Sequence, residues 1–388
     1  MAKTPALKTL LSGTDTRFKF VVLSDVHLGH RRTPTEFIIK NLKKFLGVHA
    51  QTASLDMIFI AGDVFERTLR FSSEDATISD LWIYNFLRMC KDLNIAVRVL
   101  EGTPSHDQEQ SKRFDIINEV SQLNVDLKYH KTLTIEYLEK WDLNVLFIPD
   151  EWLGSPEKAL ENVKEVMHGK GLNQVDLAIM HGQFDYQVPE GINAPCHASE
   201  AYLSFVKYGV FIGHNHTRSS FKHIYAQGSF DRLSHGYEDP KGFISAEIRK
   251  DDTMHVSFVE NTDAKVYITI HCERLSIEES YLKIDEIVKT LPEDSYVRIG
   301  VEKSHPLANS LTELVRKYPS MYWDKIIEKE EKETFQEIID IPYEKFIITK
   351  DNIEELIMNR IGFSIAKESD LVVARKIVCE ISSEVIET

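Results

Sequence analysis

Five short runs of apolar, largely β-branched residues each stop abruptly at an aspartate or a histidine. "FKFVVLSDVH" ends in Asp25 and His27, "LDMIFIAGD" in Asp63, and "NIAVRVLEGTPSHD" in His106 and Asp107. Further on, "VDLAIMHGQ" delivers His181 and "YGVFIGHNH" delivers His214 and His216. Such runs read as buried strands, because β-branched side chains pack well on a pleated surface. Amphipathic helical patterns follow the first three, in "TEFIIKNLKKFLG", "SDLWIYNFLRMCKDL" and "QSKRFDIINEVSQL". Repeating strand–helix units predict a largely parallel inner sheet with helices outside. The carboxyl ends of the strands in such a sheet border one crevice, so the polar ends are expected to converge there.

Later runs, from "NVLFIPD" through "FKHIYAQGS" and "KGFISAEIRK" to "MHVSFVEN", read as strands with few helices between them. They predict a second, more antiparallel sheet packed on the first. The fold class is therefore α/β, an α+β sandwich of two sheets flanked by helices, with its core over 1–262. Near residue 262 the pattern restarts as β-α-β-α-β, which predicts a small α/β domain over 263–330. A charged linker is expected over 331–350, and a helical tail over 351–388. In that tail "DNIEELIMNRIG" opens with a capping box and sets Ile353, Leu356, Ile357 and Ile361 on one face. Leu371, Ala374, Val378, Ile381 and Val385 then form a coiled-coil-like seam.

At 388 residues the chain exceeds one ordinary core, in keeping with several domains. No apolar run is long enough to span a bilayer, and the N-terminus lacks a signal-peptide core. The four cysteines, Cys90, Cys196, Cys272 and Cys379, lie far apart with no CxxC pair. A reduced, cytoplasmic setting follows from that pattern as an expectation. A net charge of −15 argues against a protein that coats nucleic acid without specificity. It leaves room for a phosphate-processing site whose charge is set locally by bound cations.

Two strand-end aspartates with four or more histidines suit first-row transition metals, because imidazole favours manganese, iron or zinc over calcium or magnesium. That number of donors is too many for one ion and about right for two. A carboxylate shared by ions roughly 3.5–4 Å apart suits in-line attack on phosphorus. Any one of these motifs is weak. Five of them in order, each at the end of an expected strand, are not. His30 and His197 read as loop residues beside shells that are already full, while Trp82, Tyr84 and Phe86 read as helix core.

The ordered set D-x-H, G-D, H-D, H and G-H-x-H resembles the calcineurin-like metallophosphoesterase superfamily. The segment "YAQGSFDRLSHGYEDPKGF", with Gly228, Ser229, Arg232, Glu238, Lys241, Gly242 and Phe243, narrows this. It resembles the SbcD-type (meiotic-recombination-eleven-like) DNA repair nucleases, and the compact tail is similar to phage relatives. The resemblance implies a metallophosphoesterase nuclease domain, a DNA-binding capping domain and a tail that docks an SbcC-like coiled-coil ABC-type ATPase. It implies a homodimer, two divalent ions (manganese, with magnesium as the alternative) and DNA as substrate. The activities it implies are duplex 3′-5′ exonuclease and single-strand endonuclease.

Carried over by position, Asp25, His27 and His216 would hold one ion and His181 and His214 the other, with Asp63 bridging. His106 would act on the transferring phosphate and the leaving oxygen, with Asp107 orienting its imidazole. The chain departs from the family pattern in "EGTPSHD", where Ser105 stands in place of an asparagine ligand in a longer loop. The expectation is that Ser105 binds the second ion weakly. Arg31 and Arg32 beside the first ligands are expected to contact DNA phosphate. The competing reading is a metal-dependent phosphatase or phosphodiesterase acting on a non-DNA substrate.

Overall fold

The computed structural model describes residues 15–150, 155–189, 191–192 and 194–327. The expected linker and tail lie outside them. In chain order the strands are β1 (Thr16–Leu23), β2 (Met57–Ala61), β3 (Ala96–Leu100), β4 (Leu127–His130), β5 (Thr134–Leu138), β6 (Leu143–Ile148), β7 (Val175–Gly182) and β8 (Val206–His214). They continue with β9 (Ser219–Phe221), β10 (Ile224–Ala226), β11 (Gly242–Arg249), β12 (Met254–Glu260), β13 (Tyr267–His271), β14 (Tyr296–Val301) and β15 (Tyr322–Ile327). Three sheets result, ordered β12-β11-β1-β2-β3-β4, β5-β6-β7-β8-β10-β9 and β13-β14-β15. The fold is mixed α/β, with two large mixed sheets flanked by helices.

Side-chain alternation along β1 shows how the layers form. Phe18, Phe20 and Val22 point into the core between the two large sheets, with Phe59, Phe147 and Phe211. Val21 and Leu23 point the other way, against Ile38, Leu42, Trp82 and Phe86 of the helices at Thr35–Leu42 and Glu74–Asp92. Period-two alternation thus assigns one strand to two cores at once. In the middle, the Phe20 ring stands edge-on to Phe59 and Phe211, with centroids 5.6 and 5.4 Å away. Trp82 and Phe86 are buried and Tyr84 is half-buried, as core residues of their helix.

The second sheet differs from its sequence reading. β6–β7, β7–β8 and β8–β10 all pair in parallel, and only β5–β6 and β9–β10 are antiparallel. The cause is the helix Pro156–Gly169, which carries the chain back between β6 and β7, while the short helix Ser199–Leu203 lies between β7 and β8. "KGFISAEIRK" and "MHVSFVEN", expected in that sheet, form β11 and β12 and close the edge of the first sheet in antiparallel register. Because β6, β7 and β8 run parallel, their carboxyl ends all lie at one edge.

The third sheet is wholly parallel. Its crossover helix, Ile277–Val288, starts in a reciprocal cap between Ser276 and Glu279. Ile270, Ile284, Val297, Ile299 and Leu314 form its own apolar core.

Candidate metal centre

The site is built where the strands end. Asp25 follows β1, Asp63 follows β2, Thr103 follows β3, and His181 and His214 close β7 and β8. Two glycines let these ends meet. A Cβ on Gly62 would stand 2.3 Å from His181 Nδ1, and one on Gly102 would stand 2.1 Å from Asp63 N. Gly62 also has φ +83°, a conformation costly for any other residue. Asp25, His27, Asp63 and His214 adopt positive φ without being glycine, at 51°, 54°, 52° and 94°. Such strain, about 1–3 kcal/mol per residue, clusters at functional sites and is held there by the surrounding structure.

Two groups of donor atoms draw on the strand ends, Asp25–His27–His216 and Asp63–His181–His214, and a third, His27–Glu66–His106, shares His27 with the first. In the first, His27 Nε2 and His216 Nε2 face each other at 3.0 Å, and each lies 3.9–4.0 Å from Asp25 Oδ1. In the second, His181 Nε2 lies 3.3 Å from Asp63 Oδ2. That same oxygen is 3.9 Å from His27 Nε2, so Asp63 touches both groups.

Several donors are held from behind. His181 Nδ1 donates to the Ala61 carbonyl at 2.7 Å, which orients Nε2 toward Asp63. His27 Nδ1 lies 2.8 Å from Glu66 Oε2, and Asp25 accepts from His214 N at 2.9 Å and from Ser24 Oγ. The His216 carbonyl accepts from Lys241 Nζ at 2.7 Å and from Ser229 N at 3.1 Å. The "GSFDRLSHGYEDPKGF" run is therefore a brace for the loop that carries His216. Lys241, 1% exposed, reaches it through the interior.

Electrostatics agree with this arrangement. Burial raises the Asp25 carboxyl above its ordinary range, against the pull of His181. Burial works in the same sense on Asp63, but His181 and His27 outweigh it and hold Asp63 well below the ordinary range. Burial also disfavours charge on His181, yet Asp63 and Asp25 push its pKa up to about 10. His216, largely removed from solvent and beside His27, is lowered to about 3 and keeps its nitrogen lone pair. Two buried carboxylates thus draw a proton onto His181, and a divalent cation answers the same demand for positive charge. These buried Asp and His groups could hold a metal ion.

The remaining sequence candidates are placed as follows. His106 stands beside the first group, its ring edge-on to His27 with centroids 5.1 Å apart. Its Nδ1 donates to the Glu66 carbonyl at 2.8 Å. Asp107 does not orient that imidazole. It accepts from the backbone N–H groups of Asp63, Gly102 and Phe65 at 3.1, 2.9 and 3.0 Å, pinning the β2 and β3 loops together. A tight turn, with His106 N and Asp107 N both bonded to the Thr103 carbonyl, sends the two neighbouring side chains apart.

Ser105 is exposed, and among the described residues its side chain makes no hydrogen bond to a donor. Thr103 meets the donors instead, its Oγ1 3.2 Å from Asp63 Oδ2, 3.3 Å from His181 Nε2 and 3.2 Å from His214 Nδ1. A signal for it exists in the sequence, since Thr103 follows Gly102 just as Asp63 follows Gly62. Glu66 was missed as well, having no motif of its own. Arg31 and Arg32 are exposed, and Arg32 reaches within 4.0 Å of Asp324 on β15. His30 Nδ1 accepts from Thr33 N at 3.0 Å, and His197 Nδ1 meets Tyr202 Oη at 2.9 Å; neither joins a donor group.

No family model matches the sequence, and no curated protein matches it. Among solved structures, TT1561 of Thermus thermophilus aligns at 12% identity over 63% of this chain and 99% of its own, with a TM-score of 0.38. A second structure aligns at 11% identity over 62% and 99%, with a TM-score of 0.37. Likeness at that level says nothing about chemistry. Among the described residues, no helix is long and apolar enough to cross a membrane.

Proposed function

We propose that the chain is a dinuclear, manganese-dependent DNA phosphodiesterase, the nuclease subunit of an SbcCD-like recombination and double-strand-break repair complex. The observation that carries the reading is Asp63, whose Oδ2 lies within 4 Å of an imidazole nitrogen from each donor group. Asp25, His27 and His216 would hold one ion, His181 and His214 the other, with Asp63 shared. Imidazole mixed with carboxylate suits manganese better than magnesium. Ions bound there supply Lewis-acid polarisation of a phosphoryl group and a nucleophile at neutral pH.

The chain's own residues do the rest. His106 has Nδ1 committed to the Glu66 carbonyl, so in its imidazolium form Nε2–H would hydrogen-bond the phosphate and give its proton to the leaving oxygen, leaving a neutral ring with Nδ1–H. Asp107, through three backbone N–H groups, keeps the Asp63 and Thr103 loops in register. Arg32, paired only at 4.0 Å across an exposed surface, is available to a DNA phosphate, as is Arg31 beside it. DNA as substrate, the ATPase partner and the homodimer rest on the sequence resemblance.

The test is hydrolysis of end-labelled duplex DNA and of a simple phosphomonoester, side by side, with manganese or with chelator. The expected result is manganese-dependent DNA cleavage that disappears in Asp63→Ala. Monoester turnover with intact DNA would favour a phosphatase in place of a nuclease.

A further inference from the structure

Thr103 and Asp150 have no part in the reading above, yet both face the second donor group. Thr103 Oγ1 lies 3.2–3.3 Å from all three of its members. Thr103 N donates to Asp63 Oδ1 at 2.6 Å, so backbone and hydroxyl grip opposite oxygens of one carboxylate. If the hydroxyl proton goes to Asp63, its lone pairs remain directed between the two imidazoles.

Asp150 comes from a different quarter, just past the end of β6. It is 6% exposed, and its Oδ2 lies 3.9 Å from His214 Nδ1, the same nitrogen that Thr103 faces. Its Oδ1 has no hydrogen-bond partner among the described residues. A buried carboxylate oxygen left unsatisfied is costly, and such an atom calls for a ligand to explain it. Asp150 lines a cavity of about 360 Å³ beside the site, with Glu101, Gly102 and Pro104. Lys131, on the same wall, is paired with Glu109 at 2.8 Å.

Charge and geometry point the same way. Two divalent ions would share Asp63, and Asp25 would serve the first, so the second would have no carboxylate of its own among the six donors. Around an ion with ligand distances of about 2.1 Å, neighbouring donor atoms sit about 3.0 Å apart and opposite ones about 4.2 Å. Thr103 falls at the first spacing from its three neighbours, and Asp150 falls between the two from His214. We propose that Thr103 and Asp150 are further ligands of the second ion, a hydroxyl from the strand-end side and a carboxylate from the cavity side. The inference rests on the dinuclear reading.

Manganese binding to the full chain tests it, followed by calorimetry and by counting bound ions, in wild type, Asp150→Asn and Thr103→Val. Wild type should bind two ions. Each variant should keep the first and bind the second at least about tenfold more weakly. Melting in chelator separates this from a structural role. Asp150→Asn alters a side chain whose Oδ1 has no hydrogen-bond partner among the described residues and should be no less stable than wild type, whereas a merely structural aspartate would lose stability on the change. Two ions bound in both variants with wild-type affinity would overturn this inference alone. A single ion in wild type would overturn the dinuclear reading and this inference with it.

Discussion

The two donor groups differ in how firmly they are held. Behind Asp25, His27 and His216 stand Ser24 (itself bonded to Gln227), Glu66 and Lys241, and Asp25 and His27 are at most 1% exposed. The second group is looser. His181 is fully buried, but the His214 side chain is 36% exposed, Thr103 is half-buried and a cavity opens on Asp150. Donors fixed in advance lose little freedom when they close on an ion. The contrast therefore predicts two unequal ions, the first tightly held and the second exchangeable, joined through Asp63.

The largest expected effect comes from removing that joint. Asp63→Ala should abolish paired binding and lower DNA turnover by about 10³-fold, the equivalent of the several kcal/mol that ions contribute to such reactions. If turnover fell less than tenfold, the two groups would be independent.

Next comes the clamp between the sheets. Arg98 on β3 donates to both carboxylate oxygens of Glu136 on β5, at 2.7 and 2.9 Å, with both side chains buried. Arg98→Met leaves Glu136 buried without its main partner, at a cost of about 3–5 kcal/mol in urea unfolding. Both donor groups draw on both sheets, so the two ions should weaken together. Loss of the second ion alone would trace the inequality to sheet alignment rather than to backing. The clamp also has a pH signature. Burial tends to raise Glu136, but bonds from His130, Arg98 and Lys128 hold its folded pKa well below the unfolded value of about 4.3. Its stabilisation is therefore present above that value and lost as pH falls, so the Tm gap between wild type and Glu136→Gln should narrow below about pH 4. A gap constant with pH would mean the carboxylate charge contributes nothing.

Glu66→Gln removes the carboxylate behind His27. It should weaken the first ion by about 10–100-fold in a manganese titration and leave the second unchanged. A weakened second ion would mean that the backing is not private to the first group. The smallest effect is at Ser105. Ser105→Ala should shift neither affinity by more than about twofold, because its exposed side chain makes no hydrogen bond to a donor among the described residues.

Much of this site was legible in the sequence because polar residues at strand ends interrupt apolar runs. Asp25, His27, Asp63, His181, His214 and His216 come together where those interruptions fall. The loop after β3 was not legible in detail. The Gly102–Thr103 pair echoes Gly62–Asp63, but the turn that brings Thr103 to the donors is made by backbone hydrogen bonds to the Thr103 carbonyl, which no residue type announces. Parallel pairing in the second sheet was hidden for a related reason. The run at Pro156–Gly169 is amphipathic with only Ala159, Val163 and Met167 buried, so it stands out weakly between strands. Asp150 ends the run "NVLFIPD" as the other donors end theirs, whereas Glu66 carries no pattern of its own and only the fold brings it to the site.

The central claim is that Asp63 joins two ions in one centre, and electron paramagnetic resonance of the manganese-loaded chain tests it most directly. The account predicts an exchange-coupled spectrum once two equivalents are bound, replaced in Asp63→Ala by the spectrum of isolated ions. A single uncoupled ion in wild type at every manganese concentration would contradict it.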